Sequence, residues 1–304
     1  MGAVVQAAVP NLAERRRDIR TRMDHAVISS WREIADDGLA VFTIRRPDGA
    51  PFFRFQPGQY AMLAFADQSP DDPRPRAYSI ASTPDDPSTL EFLVVLVSNE
   101  RPEGGVSQGV FTGALWRHAV GDEVLFLGPA GRFTLDRTTQ RDVVCVATGT
   151  GLAPFISMAR TLHADYQRTG RIGRRLTLIH GVSYARYLAY RDELTELAID
   201  RGFDLLYVPV ISRPDRDDRY EPWMGTGRAN DTIRLLLGNP KAGLVDPTVP
   251  PSTRARLLQR LNPATSALYL CGHPGMIQDV KSVASAAGFV DGGRSRQILT
   301  EDYW

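Results

Sequence analysis

The chain has 304 residues, 36 of them Lys or Arg and 35 Asp or Glu, for a formal net charge of +1. That length is generous for one core and comfortable for two domains, its 43% hydrophobic and 23% charged content excludes a disordered polymer, and its charge balance argues against a general nucleic-acid binder. Two cysteines, Cys145 and Cys271, supply neither a disulfide framework, nor a zinc spacing, nor the thiolates of an iron–sulfur cluster, so no metal is expected.

No apolar run approaches the roughly 20 residues that span a bilayer. The stretch from Met1 to Val9 is apolar but has no basic leader ahead of it, so it does not read as a signal peptide and a cytoplasmic protein is expected. Residues 11–22 hold Arg15, Arg16, Arg17, Arg20 and Arg22 against Glu14 and Asp18. They suit a solvated arm, or a basic face that speeds the approach of an acidic partner.

From Asp24 the texture changes. Residues 25–31, 40–45, 58–64, 76–81, 90–97 and 123–127 are short runs rich in Val, Ile, Phe and Tyr, separated by clusters such as Pro47-Asp48-Gly49 and Pro84-Asp85-Asp86-Pro87. Short strands between Gly and Pro turns predict a sandwich or small barrel. Only residues 109–118 suggest a helical period there. Within this half, Arg76-Ala77-Tyr78-Ser79 lies on a predicted strand whose alternation separates Arg76 and Tyr78 from Ala77 and Ser79. An arginine can grip a pyrophosphate bidentately and a tyrosine can stack on a flat heterocycle. Gly104-Gly105-Val106-Ser107 is a small N–H-rich turn, and Gly128-Pro129-Ala130-Gly131-Arg132-Phe133 a tight apolar one.

Beyond about Leu135 strand and helix patterns alternate. Strands are predicted over 143–147, 176–180, 205–211 and 267–271, and helices over 152–166, 187–199, 230–237 and 274–287. Such alternation implies a parallel sheet wound with helices on both faces, its ligands at the carboxyl ends of the strands. Residues 238–263 read as an irregular, Pro-rich insertion. The corner Gly149-Thr150-Gly151 joins an apolar strand to a helix whose third fingerprint position is Pro154. Its free N–H groups and helix dipole suit a phosphate. Alone, it is equally compatible with a purely steric turn.

The order Arg-x-Tyr-Ser, Gly-Val-Ser, Gly-Pro-x-Gly-x-Phe, Thr-Gly-Thr-Gly-x-Ala-Pro and Cys-Gly-x-Pro-x-Met resembles the ferredoxin–NADP reductase family over about residues 25–304. The ending Thr300-Glu301-Asp302-Tyr303-Trp304 is similar to the bacterial ferredoxin (flavodoxin) type. The resemblance implies an antiparallel Greek-key β-barrel that binds FAD, over 25–137, and a doubly wound α/β nucleotide-binding domain for NADP(H), over 138–304, after a basic extension at 1–24. It implies a hydride exchanged with NADPH, single electrons exchanged with ferredoxin or flavodoxin as an acidic carrier, and neither nucleic acid nor membrane as partner. Two other readings stay open: the reductase component of a multi-component oxygenase, and a flavin-binding regulatory protein without turnover.

By the same resemblance Arg76 grips the FAD pyrophosphate, Tyr78 packs on the flavin with Ala77 beside it, and Ser79 faces flavin N5. Val94, Val95 and Leu96 offer backbone contacts to the FAD, and Gly105, Val106 and Ser107 cap its pyrophosphate. Gly149, Thr150 and Gly151 face the nicotinamide dinucleotide, Thr150 also reaching the flavin. Cys271, followed by Gly272, stands beside the nicotinamide, although a buried structural cysteine fits the same context. Glu301 serves as a proton relay or orienting carboxylate, or is a surface glutamate, and Trp304 covers the flavin face that nicotinamide must occupy. Ser212-Arg213 and Arg228 match the family's 2′-phosphate clamp. One departure is Ser183, where the family often has arginine; Arg186 could reach back in its place, or phosphate affinity could simply be weaker.

Overall fold

A computed structural model describes residues 19–66, 75–100, 106–200, 202–241, 246–293 and 295–301. The first half is a six-stranded antiparallel sheet of β1 (Asp24–Ala35), β2 (Leu39–Arg45), β3 (Tyr60–Ala64), β4 (Arg76–Ser79), β5 (Thr89–Val95) and β8 (Glu123–Ala130), in the order β4-β3-β8-β1-β2-β5. Alternating Val, Ile and Phe bury one face, with Ile28, Phe42, Ile44, Leu63, Phe92 and Phe126 at its core. The two edges meet just beyond β4, where the Ala81 N–H donates to Glu91 O at 2.8 Å and closes the curl. A hairpin of β6 (Ser98–Glu100) and β7 (Val106–Gln108), absent from the sequence reading, leads into helix α1 (Val110–Leu115).

The second half is a six-stranded, all-parallel sheet in the order β12-β11-β10-β9-β13-β14. Its strands are β9 (Asp142–Thr148), β10 (Arg175–Val182), β11 (Leu205–Ile211), β12 (Gly225–Thr226), β13 (Ser266–Cys271) and β14 (Ile298–Glu301). Helices α2 (Ala153–Thr169), α3 (Arg191–Ile199), α4 (Ala229–Leu236), α5 (Pro251–Arg260) and α6 (Pro274–Ala286) cover its faces. Every residue of β11 and β13 is buried, the signature of strands covered on both sides. The chain starts this sheet at β9 and moves outward through β10 to β12. It then returns to the other side of β9 for β13, creating a switch point at the carboxyl ends of β9, β10 and β13.

Two expectations are corrected. The supposedly irregular stretch 238–263 contains α5, because Pro251 opens a helix whose Leu257 and Arg260 turn inward; Arg260 Nη1 donates to Leu176 O at 3.1 Å. The predicted helix over 187–199 is a 3-10 turn, Ala185–Tyr187, followed by α3.

Helix α2 joins the halves. Its Phe155, Ile156 and Met158 share one continuous core with Val41 and Leu93 of the antiparallel sheet and Val143 and Leu178 of the parallel one. Ser157 Oγ donates to Ser82 O at 2.7 Å, and Arg160 Nη1 donates to Ala81 O at 2.9 Å and to Glu91 Oε1 at 2.7 Å. The same guanidinium holds Glu193 of α3 bidentately, at 2.6 and 2.8 Å, and Tyr190 donates to Glu91 at 3.0 Å. We expect Arg160→Ala to lower stability by about 2 kcal/mol, since it strands two part-buried carboxylates that had charge-assisted hydrogen bonds. Urea unfolding checks this; a midpoint unchanged from the parent would show that the network contributes nothing.

Beneath the Gly149 corner, His180 of β10 is wholly buried. Its Nε2–H donates to Gly149 O at 3.2 Å, and its Nδ1 has no hydrogen-bond partner among the described residues. Burial pushes its pKa down from 6.5 to about 4, so the ring is neutral. Because the unfolded chain takes up this proton first, the associated stability is complete above the unfolded value and is lost as pH falls toward the folded one, by about 3 kcal/mol in all. His180→Gln, which can keep a donor to Gly149 O without titrating, should therefore flatten the acid limb of a stability–pH curve between 6.5 and about 4. Urea midpoints measured across that range would reject the idea if both proteins showed the same slope.

Candidate functional site

Two cavities lie along the seam between the sheets, and they meet. The smaller, of about 290 Å³, is lined by all four residues of β4 (Arg76, Ala77, Tyr78 and Ser79), by Leu93, Val94 and Val95 of β5, by Val110 and Phe111 of α1, and by Thr150 and Ala153 across the seam. The sequence pattern splits β4 between two faces, yet the whole strand borders this cavity. It is an edge strand, and no other described strand pairs with its outer side. The Tyr78 ring lies 4.9 Å from that of Phe111, and burial raises its hydroxyl pKa well above the ordinary phenol range. Ser79 is almost fully buried, and its Oγ donates to Glu301 Oε2 at 3.3 Å. Apolar walls, two aromatic rings, a serine hydroxyl and a guanidinium form a lining that fits a flat heterocycle carrying a phosphate tail.

Glu301 reaches Ser79 because β14 adds to the parallel sheet beside β13, with Cys271 opposite Glu301 and Ala147. This strand was not among the elements read from the sequence. Cys271 itself is fully buried and lines neither cavity. It sits directly under the corner: a Cβ on Gly151 would stand 2.3 Å from Cys271 O. Gly272, at φ +129°, passes close to Thr148, whose Oγ1 accepts from the His273 N–H at 2.8 Å. Glycine at 151 and 272 therefore lets the ends of β9 and β13 pack backbone to backbone. Between β9 and α2 the chain makes a 3-10 turn, Gly149–Leu152, that presents Thr150 to both cavities.

The larger cavity is a cleft of about 1420 Å³ over the switch point. Gly149 and Thr150, Gly181 to Ser183, Ser212 and Arg213, Gly227 and Arg228, and His273 line it. It also takes in Arg216, Lys241, Asp231, Asp279 and, from the antiparallel half, Asp37, Leu39 and Val95. Burial holds the Asp231 carboxyl above its ordinary range, while Arg234 and Asn230 hold that of Asp279 below it. Arg213, Arg216, Arg228 and Lys241 give the cleft several cations without an all-positive surface.

The expected residues divide accordingly. Arg76 to Ser79, Val94, Val95 and Thr150 meet at the small cavity, and Gly149, Thr150, Ser183, Ser212, Arg213 and Arg228 at the cleft. Leu96 lines neither, because its N–H donates to Gly38 O at 2.7 Å and it packs over that turn. Ser107 lies in the β6–β7 hairpin opposite Asn99, outside both linings. Arg186 does not itself line the cleft; it is held at its edge by Asp37, a lining residue, at 3.3 Å. Gly105 and Trp304 lie outside the described residues, as does the side chain of Val106. Arg216 was missed although Pro214-Asp215-Arg216 repeats the charge of Arg213 one turn later. Asp37 carried no local signal at all, because its place on the cleft depends on how the halves pack.

Comparison with known proteins agrees with this geometry. Residues 26–135 match the family described as oxidoreductase FAD-binding domain, and residues 145–282 match the oxidoreductase NAD-binding domain. Ferredoxin–NADP reductase A of Sorangium cellulosum is 32% identical over 253 residues, which are 80% of this chain and 77% of that protein. The reductase component of propane 2-monooxygenase from Mycolicibacterium goodii is 30% identical over 79% of this chain, which spans only 56% of it. A ferredoxin NADP+ reductase from Neisseria gonorrhoeae, solved with bound FAD and NADP, superposes with a TM-score of 0.70 at 25% identity, over 93% of this chain and 99% of that one. No helix among the described residues is long and apolar enough to cross a membrane. An antiparallel FAD-binding domain joined to a parallel NAD(P)-binding domain, with a relative of this identity and coverage, makes the chain a member of the ferredoxin–NADP reductase family of oxidoreductases.

Proposed function

We propose that the chain is a ferredoxin–NADP+ reductase, exchanging a hydride with NADPH and single electrons with ferredoxin or flavodoxin. The observation that carries this reading is that the two cavities share Val95 and Thr150, so ligands in each would meet edge to edge. Residues 25–137 are then the flavin half, 138–304 the nucleotide half, and 1–24 an extension. With its ring system in the smaller cavity, FAD would supply the redox chemistry, a carrier able to accept a hydride and to release electrons singly.

The chain's own part is placement. Arg76 pairs with the FAD pyrophosphate, while Tyr78 and the apolar wall of Leu93 and Val94 fix the plane of the ring system. Glu301 accepts from the Ser79 hydroxyl and so orients it, turning an Oγ lone pair toward a ring N–H. Gly149 and Thr150 offer N–H groups to the dinucleotide's pyrophosphate, and Ser212, Arg213 and Arg228 hold its 2′-phosphate. Val95 and Val110, each 41% exposed, flank the flavin cavity beside the exposed Arg76. An apolar patch with a cation at its rim suits a small acidic carrier.

A second reading, an NADH-linked reductase component of a multi-component oxygenase, draws on Ser183 and on the pairing of Arg186 with Asp37. The two readings part on nucleotide choice. Under anaerobic conditions the purified protein should be yellow and should bleach within seconds of adding NADPH; a colourless protein, or a flavin that NADPH leaves oxidised, would sink the reductase reading. Arg213→Ala should cut kcat/KM for NADPH by about 10- to 100-fold, the worth of a charge-assisted phosphate contact, and leave NADH nearly unchanged. Steady-state kinetics with both nucleotides measure this; equal losses for the two would remove Arg213 from the clamp.

A further inference from the structure

The turn between β1 and β2 carries Asp36-Asp37-Gly38, and Asp37 reaches across the mouth of the large cleft. Tyr187 donates its hydroxyl proton to Asp37 Oδ2, and Arg186 Nη2 lies 3.3 Å from the same oxygen. Arg186 Nη2 also donates to the Tyr187 hydroxyl at 2.9 Å. Its guanidinium carbon stands 4.7 Å from the ring centre of Tyr184 and 4.8 Å from that of Tyr187. Tyr184 in turn meets Arg213, whose Nη1 donates to its hydroxyl at 3.4 Å and whose guanidinium carbon is 5.5 Å from its ring centre. A continuous run of contacts therefore leads from a carboxylate on the antiparallel half to an arginine lining the nucleotide cleft.

We propose that Asp37 is a specificity-determining residue: by tethering Arg186 to the antiparallel half it withholds a cation from the cofactor's 2′-phosphate and so weakens preference for the phosphorylated nucleotide. The inference rests on the reading of the large cleft as the dinucleotide site. Arg186 sits one aromatic ring away from Arg213, and a phosphate held by Arg213 would be within reach of a second long, flexible side chain. With Asp37 in place, that phosphate must compete for Arg186 against a carboxylate, a hydroxyl and two aromatic faces. Asp37 and Arg186 have 44% and 41% of their side chains exposed. Water screens such a pair, so the competition is modest and reversible by a single charge. Asp37 thereby acts through Arg186 as a positioning residue.

The test uses the flavin-loaded full-length protein and two adenosine probes that differ only in the phosphate, 2′,5′-ADP and 5′-AMP, with binding read by calorimetry. Asp37→Asn keeps an acceptor for Tyr187 and removes the charge. It should tighten 2′,5′-ADP about three- to fivefold, the range of an exposed ion pair, and leave 5′-AMP unchanged. The gain should shrink with added salt and disappear in Asp37→Asn/Arg186→Ala. Unchanged 2′,5′-ADP affinity, equal tightening of both probes, or a gain that survives the loss of Arg186 would each overturn the assignment. The parent protein separates this from the reading beneath it. If the parent failed to bind 2′,5′-ADP more tightly than 5′-AMP, and Arg213→Ala changed nothing, the cleft reading would fall and Asp37 with it. If those controls held while Asp37→Asn had no effect, only the role of Asp37 would fall.

Discussion

The relation between the two sheets depends on one helix. A residue on one half can serve a ligand on the other only if the seam does not slide, and α2 prevents sliding in two ways. Its apolar face is part of a core that continues through both halves, so no water-filled plane separates them. Its polar side fixes the register: Ser157 and Arg160 take the carbonyls of Ser82 and Ala81, a few residues past Ser79. The start of α2 is therefore set against the end of β4. That is why Thr150 and Ala153 can border a cavity made otherwise of antiparallel-sheet residues.

Charge in the large cleft is balanced rather than one-signed, and the arginines in and behind its lining are held by different means. Arg234 spends its charge on Asp279 and belongs to the packing of α4 on α6. Among the described contacts the side chain of Arg213 meets the Tyr184 hydroxyl and ring, and it lines the cleft. Such a division would suit a phosphate, which needs cations held in place without being neutralised. The neutral state of His180 fits the same economy: a cation buried under Gly149 would have to be solvated by the very turn that offers N–H groups outward.

Much of this was legible from local pattern. The parallel strands showed because burial on both faces forces unbroken apolar runs, and residues 205–211 match β11 end to end. The motif Arg76 to Ser79 and the Gly149 corner were legible because each needs special residue types within a few positions. What escaped was non-local. The helix α5 hid behind prolines that mark a helix start as readily as a loop. The strand β14 is only Ile298–Glu301 and has no period to detect; it exists because β13 offers a free edge. Asp37 stood in an ordinary turn, and the commitment of the Leu96 N–H to Gly38 O, which the family resemblance does not reveal, appears only in the folded chain.

The hydrogen bond from Ser79 to Glu301 joins positions 222 residues apart. It exists only when three separate structures are complete: the antiparallel sheet that offers β4, the seam made by α2, and the parallel sheet that accepts β14 at its edge. During synthesis the flavin-type cavity acquires its own strands long before that carboxylate emerges. A chain clipped ahead of β14 would lack the carboxylate to which Ser79 donates. The contact thus ties the edge strand of the first half to the last strand described.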